Sequence, residues 1–127
     1  MLWQTNCASG FALPASTCST CADCGNAFSG KRTAPVGRYP ANAFGLHDMV
    51  GNAKEWTADC YQQGRDYRGA PINGSAWMAG DCRQHVLRGG SWLGDARMLR
   101  VAFRYKAPTD ERLGDVGLRV ALSLPAP

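Results

Sequence analysis

Asn42-Ala43-Phe44-Gly45-Leu46-His47-Asp48-Met49-Val50-Gly51-Asn52-Ala53-Lys54-Glu55-Trp56 is the stretch on which the reading of this chain turns. Its oxygen donors are spaced as a cation-binding loop needs them. Asp48 and Glu55 supply carboxylates, and Gly51 and Ala53 lie between, where a bent backbone turns carbonyls inward. Hard cations such as calcium take six to eight oxygens from carboxylates, carbonyls and water. The spacing is not that of the helix–loop–helix calcium motif, which places acidic or amide ligands at every second position. The competing reading is a tight Val-Gly-Asn turn between two strands. Spacing alone favours the turn.

Working outward, residues 53–57 read as strand with Trp56 inward, and residues 42–46 as a turn. Thr33-Ala34-Pro35-Val36-Gly37 is extended, because the residue before proline avoids the helical region. Residues 62–81 form a long polar loop with a turn at Asn73-Gly74. His85-Val86-Leu87-Arg88-Gly89-Gly90-Ser91-Trp92 reads as strand, its glycine pair marking a bulge or a close backbone approach. Residues 98–104 and 116–122 read as further strands, with a charged loop over 106–115 between them. Residues 1–40 read as loop. Trp56 and Trp92 are expected in the core.

The chain has 127 residues, 45% of them hydrophobic, which predicts one domain, residues 1–127, with a core of its own. Fifteen glycines and seven prolines predict a loop-rich fold. The net charge is +4, but the basic residues are scattered, so no nucleic-acid partner is expected. No apolar run approaches a membrane span. The first residues lack the basic and apolar regions of a signal peptide, and the abrupt start suggests a truncated chain.

Six cysteines in a small loop-rich chain point to disulfides and an oxidising or extracytoplasmic setting. Cys60 and Cys82 are the first choice for a bridge, since it would staple the loop between them. Closing a loop of about 20 residues is worth roughly 3 kcal/mol in the chain-entropy model. Cys18, Cys21 and Cys24, with Cys7, have a rival reading as ligands of zinc or an iron–sulfur cluster. A zinc site usually shows two separated pairs, so disulfides or free thiols rank above the metal.

With these segments in place, the chain resembles the formylglycine-generating enzyme family, also called the sulfatase-modifying factor family. The resemblance rests on residues 33–37, residues 42–56, Val86-Leu87-Arg88-Gly89-Gly90-Ser91-Trp92, Arg100-x-Ala102-x-Arg104 and Gly117-Leu118-Arg119-Val120. It implies an α+β, C-type-lectin-like fold of the sulfatase-modifying factor type, irregular and loop-rich, with short strands and little helix. The chain looks like the C-terminal half of the family domain. The resemblance also implies a structural calcium held by the Asp48 side chain, the Gly51 and Ala53 carbonyls and the Glu55 side chain. Asn6 would serve a second calcium site, whose aspartate has no counterpart near Phe28-Ser29-Gly30.

Catalysis does not carry over. The active enzymes hold copper with two cysteines and oxidise a substrate cysteine to formylglycine. Gly94 stands at the first of those positions, and the shortened stretch 95–99 has no cysteine for the second, so copper is not expected and no catalytic residue is assigned. His47 and His85 are expected to pack or face solvent rather than ligate. Three functions follow. The first is a non-catalytic, calcium-stabilised, monomeric domain that binds a protein or small ligand through Leu93, Asp95, Arg97, Phe103, Tyr105 and Lys106. Relatives of this kind include the variable proteins of diversity-generating retroelements. The second is an oxidoreductase converting a protein cysteine to formylglycine. The third is a zinc module built on the cysteine cluster. Arg88, Arg100, Arg104 and Arg119 are expected to pair with carboxylates such as Asp110 and Asp115 or to donate to loop carbonyls.

Overall fold

The computed structural model describes residues 26–64 and 67–122. Its regular structure is one small sheet. Strand β1 runs Lys54–Tyr61, β2 Asp81–Arg88, β3 Tyr105–Pro108 and β4 Val116–Gly117, in the order β3-β2-β1-β4. β2 is antiparallel to both β1 and β3, and β4 lies parallel to β1. Among the described residues the one helical element is a 3-10 turn over Ala96–Leu99, and no helix is long and apolar enough to cross a membrane. The loop-rich, short-stranded fold expected from composition is what forms. Cys7, Cys18, Cys21 and Cys24 lie outside the described residues, as does Asn6.

The core sits on β2. Val86 and Leu87 are adjacent, so they point to opposite faces of the sheet, and both are buried. The middle of the sheet is therefore covered on both sides. Register places Trp56, Leu87 and Tyr105 side by side on one face. Cys60, fully buried, and Ala107, also fully buried, flank His85 two residues along on that face. Cys60 is bonded to Cys82, the expected disulfide, with Cα atoms 4.5 Å apart. The register of β1 against β2 shifts on both sides of Cys60, so the strand is bulged where the bridge forms. Trp77 pins the intervening loop: its N–H donates to Asp59 Oδ1 at 2.8 Å and its carbonyl accepts from the Cys60 N–H at 2.9 Å.

The glycine pair ends β2 through a close approach. Gly89 and Gly90 both have positive φ, at 89° and 71°. A Cβ on Gly90 would stand 2.5 Å from Leu99 Cδ2 and 3.1 Å from the Met98 carbonyl oxygen. That contact explains the main correction to the sequence reading. Residues 98–104 are not a strand. Asp95 accepts from the Arg97 N–H, the chain closes into the 3-10 turn, and Leu99 is driven onto Gly90. The third strand comes later, at Tyr105–Pro108, three of its four residues inside the 106–115 stretch expected to be loop. The last strand is also shorter than expected. β4 is two residues long, and Leu118, Val120 and Leu122 are exposed. Trp56 and Trp92 are half-buried rather than core.

Among the described residues, Lys54 and Asp115 bring whole charged side chains into the interior. Lys54 Nζ lies 2.6 Å from Asp115 Oδ2, which also accepts from Ser91 Oγ at 2.6 Å. All three residues are buried. Asp115 was expected to partner an arginine; the lysine takes it because strand alternation sends Lys54 to the same inner face as Trp56. The ammonium also lies 4.7 Å from the centre of the Tyr105 ring. Burial pushes the Asp115 carboxyl up, but the hydrogen bonds from Lys54 and Ser91 outweigh it and hold the group below the ordinary carboxylate range.

Two outcomes are expected from this architecture. Asp115→Ala leaves Lys54 buried without its counter-charge and costs about 3–5 kcal/mol in urea denaturation, whereas Lys54→Met with Asp115→Leu recovers much of the loss. The Asp115 pKa is lower folded than unfolded, so its contribution is complete above about pH 4 and is lost as pH falls through the folded value. Wild-type stability should decline below that pH, and Asp115→Asn should flatten the decline. Separately, reducing Cys60–Cys82 should lower stability by about 3 kcal/mol, read from the shift in denaturation midpoint with and without reductant.

Candidate functional site

Two places in the fold gather the residues that the sequence singles out. The first is the bend that feeds β1. Asp48, Gly51 and Asn52 all have positive φ, at 54°, 83° and 65°. Two of the three are not glycine, and Asp and Asn tolerate this region better than other side chains. Asp48 Oδ2 accepts from the Gly37 N–H at 2.9 Å, while its Oδ1 is buried with no partner. Glu55 leaves β1 on the face opposite Lys54. Both of its oxygens accept from Arg119 Nε, at 2.8 and 2.9 Å, and Arg119 Nη2 also donates to the His47 carbonyl at 2.8 Å. The hydrogen bond to Glu55 raises the guanidinium pKa against the opposing effect of its partial burial, and Asp48 adds a smaller favourable field.

The donor chemistry fits a hard cation. An orphaned carboxylate oxygen in a buried setting is costly unless something meets it. Asp48 Oδ1 is such an atom. A carboxylate offers about four lone-pair sites, so Arg119 does not exhaust Glu55. Asp48, Gly51, Ala53 and Glu55 are the residues that would hold the ion. Among the described residues no three Asp, Glu, His or Cys side chains cluster as a metal site, so such an ion would lean on carbonyl oxygens as well. The histidines are engaged elsewhere: His47 Nδ1 lies 2.7 Å from the Tyr39 carbonyl and His85 Nδ1 3.3 Å from that of Thr57.

The second place is a cavity of about 570 Å³ at the β3 edge, lined by Tyr61, Arg100, Ala102, Phe103, Arg104, Tyr105 and Lys106. Phe103, Tyr105 and Lys106, three of the six surface residues named from sequence, come together there. The other three do not line it. Leu93 is exposed on the preceding turn, and Asp95 and Arg97 form an ion pair at 2.8 Å that closes the 3-10 turn. Tyr61, Arg100, Ala102 and Arg104 escaped the sequence reading as cavity residues. Arg100 and Arg104 stand out in the sequence as a spaced pair. Tyr61 gave no signal, because its place depends on the bulge that ends β1.

The arginines are held individually. Arg88 Nη1 donates to the Phe103 carbonyl at 3.0 Å and to Tyr67 Oη at 3.3 Å. Arg100 Nε donates to the Arg97 carbonyl at 3.0 Å. Arg104 lies over the Tyr67 ring, 4.2 Å from its centre, and its Nη2 is buried with no partner. Gly94 is buried, and a Cβ there would stand 3.1 Å from Met98 Sδ. No cysteine follows Cys82 in the chain.

Residues 15–124 match the sulfatase-modifying factor enzyme 1-like domain. The chain is 34% identical over 93 residues to the inactive C-alpha-formylglycine-generating enzyme 2 of Bos taurus, covering 68% of this chain and 26% of that protein. Its fold is similar to that of PvdO from Pseudomonas aeruginosa, with TM-score 0.69 and 38% identity over 83% of this chain and 38% of the other. It is also similar to Treponema denticola variable protein 1, with TM-score 0.55 and 29% identity over 70% of this chain and 31% of the other. The chain thus spans well under half the length of each of these relatives. The fold, the ordered motifs and the matched span agree, and the chain belongs to the sulfatase-modifying factor, or formylglycine-generating enzyme, family.

Proposed function

We propose that this chain is a binding member of its family, without oxidase chemistry, whose cation-stabilised loops present a ligand surface at the β3 edge. The observation that carries this reading is Gly94. Where the resemblance puts the first copper-binding cysteine, this chain has a buried glycine crowded by Met98, and no cysteine lies anywhere in the C-terminal third of the chain. Without thiolates there is no soft-ligand copper site at that place. Two relatives bear names that fit: one is called inactive and the other a variable protein. The ligand is a small molecule or a protein segment, met by Phe103, Tyr105 and Lys106 in the cavity and by Leu93, Asp95 and Arg97 on the turn beside it. The domain acts as a monomer, and its disulfide suits an oxidising compartment.

Calcium is the stabilising ion of this reading. The unpartnered Asp48 oxygen and the left-handed backbone at Asp48, Gly51 and Asn52 support it. The ion would hold the bend and so fix the start of β1; it would not take part in a reaction.

A copper titration with a thiol-peptide oxidation assay should show neither stoichiometric copper binding nor oxygen uptake, and both together would instead restore the oxidoreductase. Calcium at a hundredfold excess over its Kd should stabilise the fold by about 2.7 kcal/mol, seen as a rise in Tm. Glu55→Ala should abolish that response. A wild type whose Tm ignores calcium would mean that Arg119 alone neutralises Glu55 and that the bend is only a turn.

A further inference from the structure

The cavity at the β3 edge has one sign of charge. Arg100, Arg104 and Lys106 line it, and no carboxylate does among the described residues. The nearby acids are committed elsewhere: Asp95 to Arg97, Asp81 to Arg83, Asp115 to Lys54. Asp81 feels Lys106 only as the last and smallest of its influences. Among the described residues none of the three cavity cations has an ion-pair partner. The remaining lining is aromatic or small, with Tyr61, Phe103 and Tyr105 as its walls.

Arg104 is built to be a receptor. Trp77 stacks on Tyr67 with ring centres 6.5 Å apart, and the Arg104 guanidinium lies on the Tyr67 ring. Arg88 fixes the same tyrosine through its hydroxyl and fixes the backbone of Phe103 next to Arg104. Stacking covers the face of a guanidinium and leaves its donors in the plane free. Arg104 lines the cavity; its Nη2 is closed off from solvent and has no acceptor, so a ligand oxygen meets it as the guanidinium turns toward the cavity. A buried cationic donor left without an acceptor is expensive, and the acceptor that fits a planar fork is a carboxylate. Lys106 Nζ, poised 4.8 Å from the Tyr61 ring centre, supplies a second charge at the wall. The cavity falls within the size range of small-molecule sites.

We propose that this cavity binds a small aromatic carboxylate, its carboxylate on Arg104 with Lys106 and Arg100 in support, and its ring between the Phe103 and Tyr105 side chains. The inference rests on the reading of this edge as a ligand surface and narrows it to one chemical class. Selectivity comes from charge and planarity together. A neutral amide of the same shape leaves the Arg104 and Lys106 charges unmet, and a bare oxyanion such as sulfate meets the charge but not the aromatic walls.

Phenylacetate, phenylacetamide and inorganic sulfate are titrated against the whole chain by ligand-observed NMR and calorimetry. Phenylacetate should bind at least tenfold more tightly than phenylacetamide and than sulfate, and its affinity should fall as salt is raised. Arg104→Gln should weaken phenylacetate by roughly 10–100-fold, and Arg104→Lys should recover only part of the loss, because a point charge lacks the fork. Lys106→Gln, at an exposed position, should weaken it severalfold, while Lys31→Gln, exposed and outside the cavity lining, should leave it unchanged. Equal affinity for phenylacetate and phenylacetamide would overturn the anion and keep the ligand surface. Sulfate matching phenylacetate would reduce the site to a plain anion pocket and overturn the aromatic class. Binding of none of the three would overturn the proposal outright, and the copper and oxygen assay then bears on the wider reading by itself. Unchanged affinity in both Arg104→Gln and Lys106→Gln would place any binding elsewhere.

Discussion

Asn52 is the residue on which the rest of this structure closes. It is buried, with φ at 65°, and its side-chain amide behaves like a piece of backbone. Its Oδ1 accepts from the Ala34 N–H at 2.8 Å, and its Nδ2 donates to the Ala34 carbonyl at 3.3 Å. Its own carbonyl accepts from the Trp92 N–H, and the neighbouring Gly51 N–H donates to the Gly89 carbonyl. One two-residue step therefore joins the N-terminal loop, the end of β2 and the start of β1. A fold with four short strands has few ladder bonds, so the loop backbone needs partners from side chains. Another residue at this position would have to adopt a left-handed backbone and would still leave the Ala34 amide and carbonyl unmet, each at about 1–3 kcal/mol.

The buried Lys54–Asp115–Ser91 group performs a related task two residues later. Ser91 follows the glycine pair, Asp115 precedes β4, and Lys54 opens β1. The backbone bond from the Lys54 N–H to the Asp115 carbonyl, at 2.9 Å, reinforces the side-chain link. A well-packed apolar trio of equal volume could be as stable, since buried ion pairs recover their desolvation cost only with good geometry. What the charged trio adds is register. Asp115 meets Lys54 and Ser91 together in one arrangement, so β4 has one place to dock although it pairs over only two residues.

How much of this was legible depended on whether the cause was local. β1 and β2 were legible only in part: residues 53–57 and 85–92 read as strand, whereas the strands run Lys54–Tyr61 and Asp81–Arg88, because the disulfide-linked bulge extends β1 and the glycine pair ends β2 at Arg88. The staple between Cys60 and Cys82 was legible from spacing and loop composition. The 3-10 turn at Ala96–Leu99 was not, although Asp95 at its start is an ordinary cap. Leu99, Val101 and Phe103 alternate as a strand would, yet only Leu99 is buried; Val101 is exposed. The contact that selects the turn is Leu99 against Gly90, which needs the fold before it exists. Residues 118, 120 and 122 mislead in the same way, since alternation predicts a strand only where a neighbour is there to pair. The cavity depends on the bulge that delivers Tyr61 and on the stack of Trp77, Tyr67 and Arg104, and both are tertiary. The bend at residues 48–55, proposed above to hold a cation, is the converse case. Its residues lie within eight positions of one another and were named from sequence, but the Arg119 guanidinium on Glu55 comes from sixty-four residues away.

The two candidate sites share a strand and are separated by its alternation. Lys54 turns to the inner face and lies against Tyr105, a wall of the cavity, while Glu55 turns to the other face and meets Arg119. A cation bound at the bend of residues 48–52, as proposed, would fix the first residue of β1 and with it the lysine behind the cavity wall. The charges divide along the same line. Glu55, Asp81, Asp95 and Asp115 each neutralise one basic residue. Outside these four pairs ten basic and six acidic residues remain, and their balance is the net charge of +4. Arg32 and Arg38 lie against the Phe28 ring. Arg100, Arg104 and Lys106 converge on one concave surface. A scattered basic sequence thus folds into a focused field, and a concave surface with low-dielectric walls concentrates oppositely charged ligands. The linear order of residues conceals that focus, because pairing removes charges of both signs elsewhere and leaves these three together.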